Sequence, residues 1–111
     1  MIDLNYLASQ QKWSAQTFGP GMRTKALVDH IGKELYEVLD DPEDLTEWID
    51  LIILALDGAW RCCEATNRPL TDINETLIIK QFINQSRDWP DWRTQDPNKA
   101  ITHIKTEETE V

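Results

Sequence analysis

Residues 41–65, DPEDLTEWIDLIILALDGAWRCCEA, constrain this chain more than any other stretch. Asp41 can cap a helix, Pro42 suits its first position, and the acids that follow sit near the positive end of the dipole. The helix so started runs to about Ala65, and Trp48, Ile49, Leu51, Ile52, Ile53, Leu54, Leu56 and Trp60 make it apolar on nearly all sides. A helix of that kind needs cover all round. A 111-residue domain has little material to supply it, so a subunit interface is expected, with a homodimer or homotetramer as the assembly.

The rest of the chain reads as helices too, and the expected fold class is all-α with four helices. A first helix from about Asp3 to Thr17 presents Leu4, Leu7 and Trp13, with Asp3 as N-cap. Gly19-Pro20-Gly21 then breaks the chain. Arg23 to Asp40 forms the second helix, whose Leu27, Ile31, Leu35 and Val38 make one stripe directed at the core. Asn67-Arg68-Pro69 ends the third helix. Thr71 or Asp72 caps a fourth, with Ile73, Leu77, Ile78 and Phe82 as its core face and an end near Arg87. Residues 1–104 are read as one domain, and 105–111 as an acidic, mobile tail with too little apolar content to pack.

The formal charge of -9 argues against a broad basic face for long DNA or RNA. No apolar run is long enough for a membrane span. The start, MIDLNYLASQQKW, lacks the features of a secretory signal, which points to the cytoplasm. Cys62 and Cys63 are adjacent and are read as reduced and helical.

Chemistry concentrates in four acids. Glu34 and Glu37 lie one turn apart on the second helix, and Glu47 and Asp50 do the same on the third. Folding about the turn near Asp41 and Pro42 brings Glu34 level with Asp50 and Glu37 near Glu47. Four such carboxylates repel or protonate unless cations sit among them. Oxygen-only ligation suits Mg²⁺ or Mn²⁺, which favour bridging to substrate phosphates, so a nucleoside triphosphate is a natural complement. The Glu-x-x-His motif of di-iron bundles is absent, because Glu37 and Asp50 stand where it would place His. The alternative is a solvated acidic face, since acids at this spacing are common on surface helices.

The run WSAQTFGPG (13–21), then HIGKELYE (30–37), EWID (47–50) and NQSRDWPDWR (84–93) resembles the MazG-like all-α pyrophosphohydrolases. More narrowly it is similar to the phage dATP/dGTP pyrophosphohydrolase branch that includes the MazZ enzymes, from Lys12 to His103. The family pattern is Glu-Glu-x-x-Glu, a spacer, then Glu-x-x-Asp. Lys33 stands where the wider family has its first Glu, and the spacer is short. The resemblance therefore implies metal ligation by Glu34, Glu37, Glu47 and Asp50, with at least two Mg²⁺ or Mn²⁺ ions. It also implies hydrolysis of a triphosphate to monophosphate and pyrophosphate, with Glu37 or Glu34 accepting the proton of the attacking water.

Lys33, Arg23, Lys80, Arg87 and Arg93 are candidates for holding phosphates, against simple surface solvation. His30, one turn before Glu34, is read either as touching substrate or a ligand, or as structural. Asp57 lies two turns beyond Asp50 in apolar surroundings, and there an acid needs a cation, a substrate group or a structural bond. Trp13, Trp89 and Trp92 are read as base-stacking or core residues. The expected substrate is a purine deoxynucleotide, dGTP before GTP or dATP, supplying dGMP for modified-base phage DNA. The alternatives are a broad house-cleaning dNTP pyrophosphatase and a non-enzymatic acidic module that mimics DNA.

Overall fold

The computed structural model describes residues 1–105, so most of the expected acidic tail lies outside the described residues. Among these, four α-helices and a short 3-10 turn form, with no strand: α1 (Leu4–Phe18), α2 (Thr24–Asp40), α3 (Leu45–Ala65), α4 (Thr71–Ser86) and the turn Trp92–Thr94. The chain divides into two compact units, Met1–Glu75 and Thr76–Val111. The first contains α1 to α3 and the opening turn of α4.

Local chemistry explains the boundaries. Asp3 caps α1 by accepting from the Tyr6 N–H at 2.9 Å. Gly19 ends α1 at φ 97°, donating its N–H to the Ala15 carbonyl, and Gly21 follows at φ 84°. Both values fall where a Cβ is costly, which is why glycine stands at each. The start of α3 differs from expectation. Asp41 closes α2, its N–H bonded to the Glu37 carbonyl, and Asp44 caps α3 by accepting from the Thr46 N–H at 2.9 Å. Pro42 therefore lies in the turn, and its carbonyl accepts from the Trp48 indole at 2.9 Å. At the far end Asn67, at φ 56°, lets the Arg68 N–H reach back to the Cys63 carbonyl at 2.8 Å, a closure that asparagine tolerates better than most residues. Cys62 and Cys63 are both free thiols on α3.

In the first unit α3 is the centre, packed against α2 and, less extensively, α1. The buried apolar side chains are Leu7, Leu27, Val38, Leu56, Trp60 and Cys63. Several expected core positions lie outside that set. Leu35 on α2, Leu4 and Trp13 on α1, and Trp48, Ile49 and Ile52 on α3 are exposed, as are Leu77, Ile78 and Phe82 on α4. Within the first unit two helices pack on α3, so a helix apolar all round keeps a side that α1 and α2 do not cover.

The interior also contains a polar network. Arg61, 1% exposed, and Asp57, 4% exposed, pair one turn apart on α3. Asp57 also accepts from the Ser14 hydroxyl. Arg61 Nη1 donates to the carbonyls of Gly19 and Gly21 at 2.8 Å each, Nη2 reaches Ser14 Oγ at 3.2 Å, and the guanidinium lies 4.4 Å from the Trp60 ring centroid. A buried charge keeps its place only when its partners satisfy it. Arg61→Ala is expected to lower unfolding stability by about 3 to 5 kcal/mol, because Asp57 is left buried without its cationic partner. Urea denaturation checks this, and a loss below about 1 kcal/mol, the range of exposed pairs, would contradict it.

Candidate active site: a carboxylate cluster beside a ring-walled cavity

The α2–α3 hairpin decides where the acids point. Glu34 faces α3 from the C-terminal half of α2, and Glu47 and Asp50 stand on the opening turns of α3. One oxygen from each of Glu34, Glu47 and Asp50 lies within 4.8 Å of the others, all three side chains being half-buried. Glu37 is outside that trio and exposed, yet it is the nearest in effect of the like charges acting on Glu47. The four acids are thus brought to one region, three in a tight group and one beside it. The expected pairing of Glu34 with Asp50 across the hairpin is present.

The Glu47 carboxyl is pushed above its ordinary value, first by partial desolvation and then by repulsion from Glu37, Asp44, Asp50 and Glu34. A cation placed among these groups relieves that repulsion. An all-oxygen donor set of this kind fits a hard divalent ion and not a soft one. Glu34 also meets His30, whose Nε2 lies 3.5 Å from Glu34 Oε1.

Beside the carboxylates is a cavity of about 180 Å³, lined in part by Gln10, Trp13, Phe18, His30, Glu34 and Asp50. Trp13 and Phe18 meet edge to face at 5.6 Å, and Trp13 remains 56% exposed. A second cavity, about 330 Å³, shares Phe18, His30 and Asp57 with the first and adds Arg23 and Lys33. Arg23 stacks its guanidinium 5.6 Å from the Phe18 ring centroid, and Lys33 pairs with Asp29 at 3.5 Å. Acids, an aromatic wall and basic side chains are therefore contiguous in the first unit.

Of the expected site residues, Glu34, Asp50, His30, Trp13, Arg23, Lys33 and Asp57 line these cavities. Asp57 makes the structural bond of the readings given for it, through Arg61 and Ser14, while also lining both. Lys80, Arg87 and Arg93 belong to the second unit. There Arg93 is bound by Asp91, whose carboxyl it holds below the usual value, and Arg87 reaches Asn84 Oδ1 at 3.5 Å. Trp89 and Trp92 lie in that unit as well, both exposed. Sequence reasoning missed Gln10, Ser14, Phe18 and Arg61. The available signal was the Leu7, Gln10, Ser14 spacing, which is the face α1 actually buries, and the Asp57–Arg61 pair set inside an apolar helix.

An all-α chain whose central hairpin gathers carboxylates beside a ring-walled, partly basic cavity has the make-up of a nucleotide-processing enzyme. The family model of dATP/dGTP pyrophosphohydrolases matches residues 6–108, and the chain belongs to that family. It is accordingly a nucleoside triphosphate pyrophosphohydrolase of the MazG-like kind, which sets aside the non-enzymatic acidic module. No curated protein and no solved structure matches it. No helix among the described residues is long and apolar enough to cross a membrane.

The raised Glu47 carboxyl sets a sign for pH dependence. Its folded form binds a proton more tightly than its unfolded form, so its contribution favours folding at low pH and declines as pH rises through the raised value. In chelator, Glu47→Gln is expected to lose this decline and to exceed the parent's urea midpoint at pH 7. Urea midpoints from pH 4 to 7 measure it, and parallel curves for the two proteins would contradict it.

Proposed function

We propose that this enzyme hydrolyses a purine (deoxy)nucleoside triphosphate, dGTP before GTP or dATP, to the monophosphate and pyrophosphate. The observation that carries the reading is the convergence of Glu34, Glu47 and Asp50 oxygens beside a cavity walled by Trp13 and Phe18. Glu34, Glu47 and Asp50 would hold Mg²⁺ or Mn²⁺, with Glu37 completing the set and at least two ions per site. Bound divalent ions supply acidity to water and neutralise charge on the polyphosphate. The chain's own groups do the rest. Arg23, Lys33 and His30 face the triphosphate and hold it by charge-assisted hydrogen bonds. Glu37, exposed and outside the trio, accepts the proton of the water that attacks phosphorus, as the bond to the pyrophosphate oxygen breaks. Trp13 offers its open face to the base.

The likeness to the MazZ enzymes supports the dGTP preference and a role in supplying dGMP for modified phage DNA, in the host cytoplasm. A broad house-cleaning activity on dNTPs is the second reading, favoured by the same ring-walled cavity, because stacking on Trp13 is tolerant of base identity. Lys80, Arg87 and Arg93 remain proposed phosphate contacts by virtue of their charge, with surface solvation as the other reading.

The uncovered apolar side chains of α3, Ile49 and Ile52 with Trp48, support assembly as a homodimer or homotetramer. Ile52→Asp is expected to lower the mass measured by sedimentation, and an unchanged monomeric mass for the parent chain would refute the assembly.

Incubation with each nucleoside triphosphate and Mg²⁺ or Mn²⁺, followed by phosphorus NMR, tests the activity. Monophosphate and pyrophosphate are expected, with dGTP fastest, and orthophosphate as the first product would refute it. Glu37→Gln is expected to lower kcat by about 10²- to 10⁴-fold, the usual worth of a general base, and calorimetry should find metal bound more weakly but still held through Glu34, Glu47 and Asp50.

A further inference from the structure

One ring in the first unit borders both cavities, and the reading above uses it only as a wall. Phe18, the last residue of α1, lines the 180 Å³ cavity with Trp13, Glu34 and Asp50, and the 330 Å³ cavity with Arg23, His30 and Lys33. It is 44% exposed, so its ring is open to solvent. The Arg23 guanidinium lies 5.6 Å from the ring centroid, within the roughly 6 Å over which an aromatic face attracts a cation. Trp13 meets the same ring edge to face at 5.6 Å.

Arg23 is held differently from other cations of this chain. Lys33 pairs with Asp29, Arg61 with Asp57 and Arg93 with Asp91, whereas among the described residues Arg23 makes no ion pair with a carboxylate. It also borders an apolar cavity of about 200 Å³ with Leu27, Val28 and Ile31, which Phe18 does not line. A guanidinium drawn to Phe18 is kept toward the basic cavity and away from the apolar one. A ring face accepts the charge without engaging the N–H donors as a carboxylate does, so they remain available to phosphate oxygens. A long side chain already held in place also loses less freedom when a ligand arrives.

We infer that Phe18 is a positioning residue, whose ring holds the Arg23 guanidinium in the basic cavity where that cation meets the pyrophosphate half of the substrate. The inference rests on the pyrophosphohydrolase reading of this site and adds to it the group that sets the cation in place. With the base on Trp13 and the attacked phosphorus at Glu34 and Asp50, all in the 180 Å³ cavity, the two outer phosphates are the part that reaches the neighbouring one. Phe18 joins the two ends of the site, since it touches both Trp13 and Arg23.

The test takes away the ring and keeps an apolar side chain. KM for the deoxynucleoside triphosphate hydrolysed fastest, and the inhibition constant of inorganic pyrophosphate as product, are measured with Mg²⁺ for the parent, Phe18→Leu, Phe18→Tyr, Arg23→Gln and the Phe18→Leu, Arg23→Gln double variant. Phe18→Leu is expected to raise both constants by about 3- to 30-fold, the range of a cation over a ring. Phe18→Tyr keeps a ring face and should stay within about twofold of the parent. Arg23→Gln should raise both by about 10- to 150-fold, and in that background Phe18→Leu should add less than about twofold, because the ring has no cation left to hold. Pyrophosphate carries no base, so a Phe18→Leu change that raises KM alone would overturn the proposal and make Phe18 a contact of the base. Effects of the two single changes that multiply in the double variant would overturn it too, as would constants unmoved by Phe18→Leu or moved equally by Phe18→Tyr. Thermal melting checks the fold of each variant, and Phe18→Met takes the place of Phe18→Leu if the latter melts below the assay temperature. Absence of monophosphate and pyrophosphate from every triphosphate would overturn the activity itself, whereas an active enzyme insensitive to Phe18→Leu overturns only the role of the ring.

Discussion

The buried pair of Arg61 and Asp57 organises the first unit. Its two partners sit on one helix, one turn apart, yet their remaining bonds run to Ser14 on α1 and to the carbonyls of Gly19 and Gly21 in the loop that follows. An ion pair inside a protein gains little over apolar packing unless every donor and acceptor is matched. Here the matching requires α1, its C-terminal loop and α3 to take one mutual arrangement. The loop must present two carbonyls toward the guanidinium, and glycines at positive φ make that backbone accessible. Because the loop leads directly into α2, this polar lock also sets where α2 begins, and the cavity lined by Phe18, Arg23 and Asp57 borders it.

The site depends on a second constraint, the tightness of the α2–α3 hairpin. Four residues separate the helices, and two aspartates divide the work: Asp41 closes one helix while Asp44 opens the next. The short reversal keeps Glu34 opposite Asp50 and brings Glu47 within the same group. Partial desolvation and then the like charges of Glu37, Asp44, Asp50 and Glu34 raise the Glu47 carboxyl, so a counter-charge among them would be favourable.

Much of this was legible from residue order. The four helices, the glycine break, the facing of the acid pairs and the family likeness all follow from short-range periodicity and motif spacing. Expectation failed at places governed by three-dimensional neighbours. Pro42 after Asp41 looked like a helix start, but the chain needed a full turn to reverse, and Asp44 became the cap. Leu35 completed a regular stripe and yet faces solvent, because a straight stripe at steps of four and three is wider than the seam α3 covers. On α1 the buried face follows Leu7, Gln10 and Ser14, two of them polar, so of the apolar residues expected there Leu7 is buried while Leu4 and Trp13 stay exposed.

The sequence alone determined which helices form, where they break, and that the chain has a family's carboxylate signature, since these are matters of neighbouring residues and fixed helical pitch. Tertiary structure decided which acids come close enough to share an ion, which aromatic rings wall the cavity, and that Asp57 answers to Arg61. It also decided that Gln10 is held in place with one end of its amide unmatched. The acid cluster and the contacts of Gln10 and Asp57 with the facing helix depend on distances between helices, across 13 residues for Glu34 and Glu47 and 43 for Gln10 with Ile53 and Ser14 with Asp57, and hydrophobic periodicity, which reports only which way a side chain faces on its own helix, has no term for them.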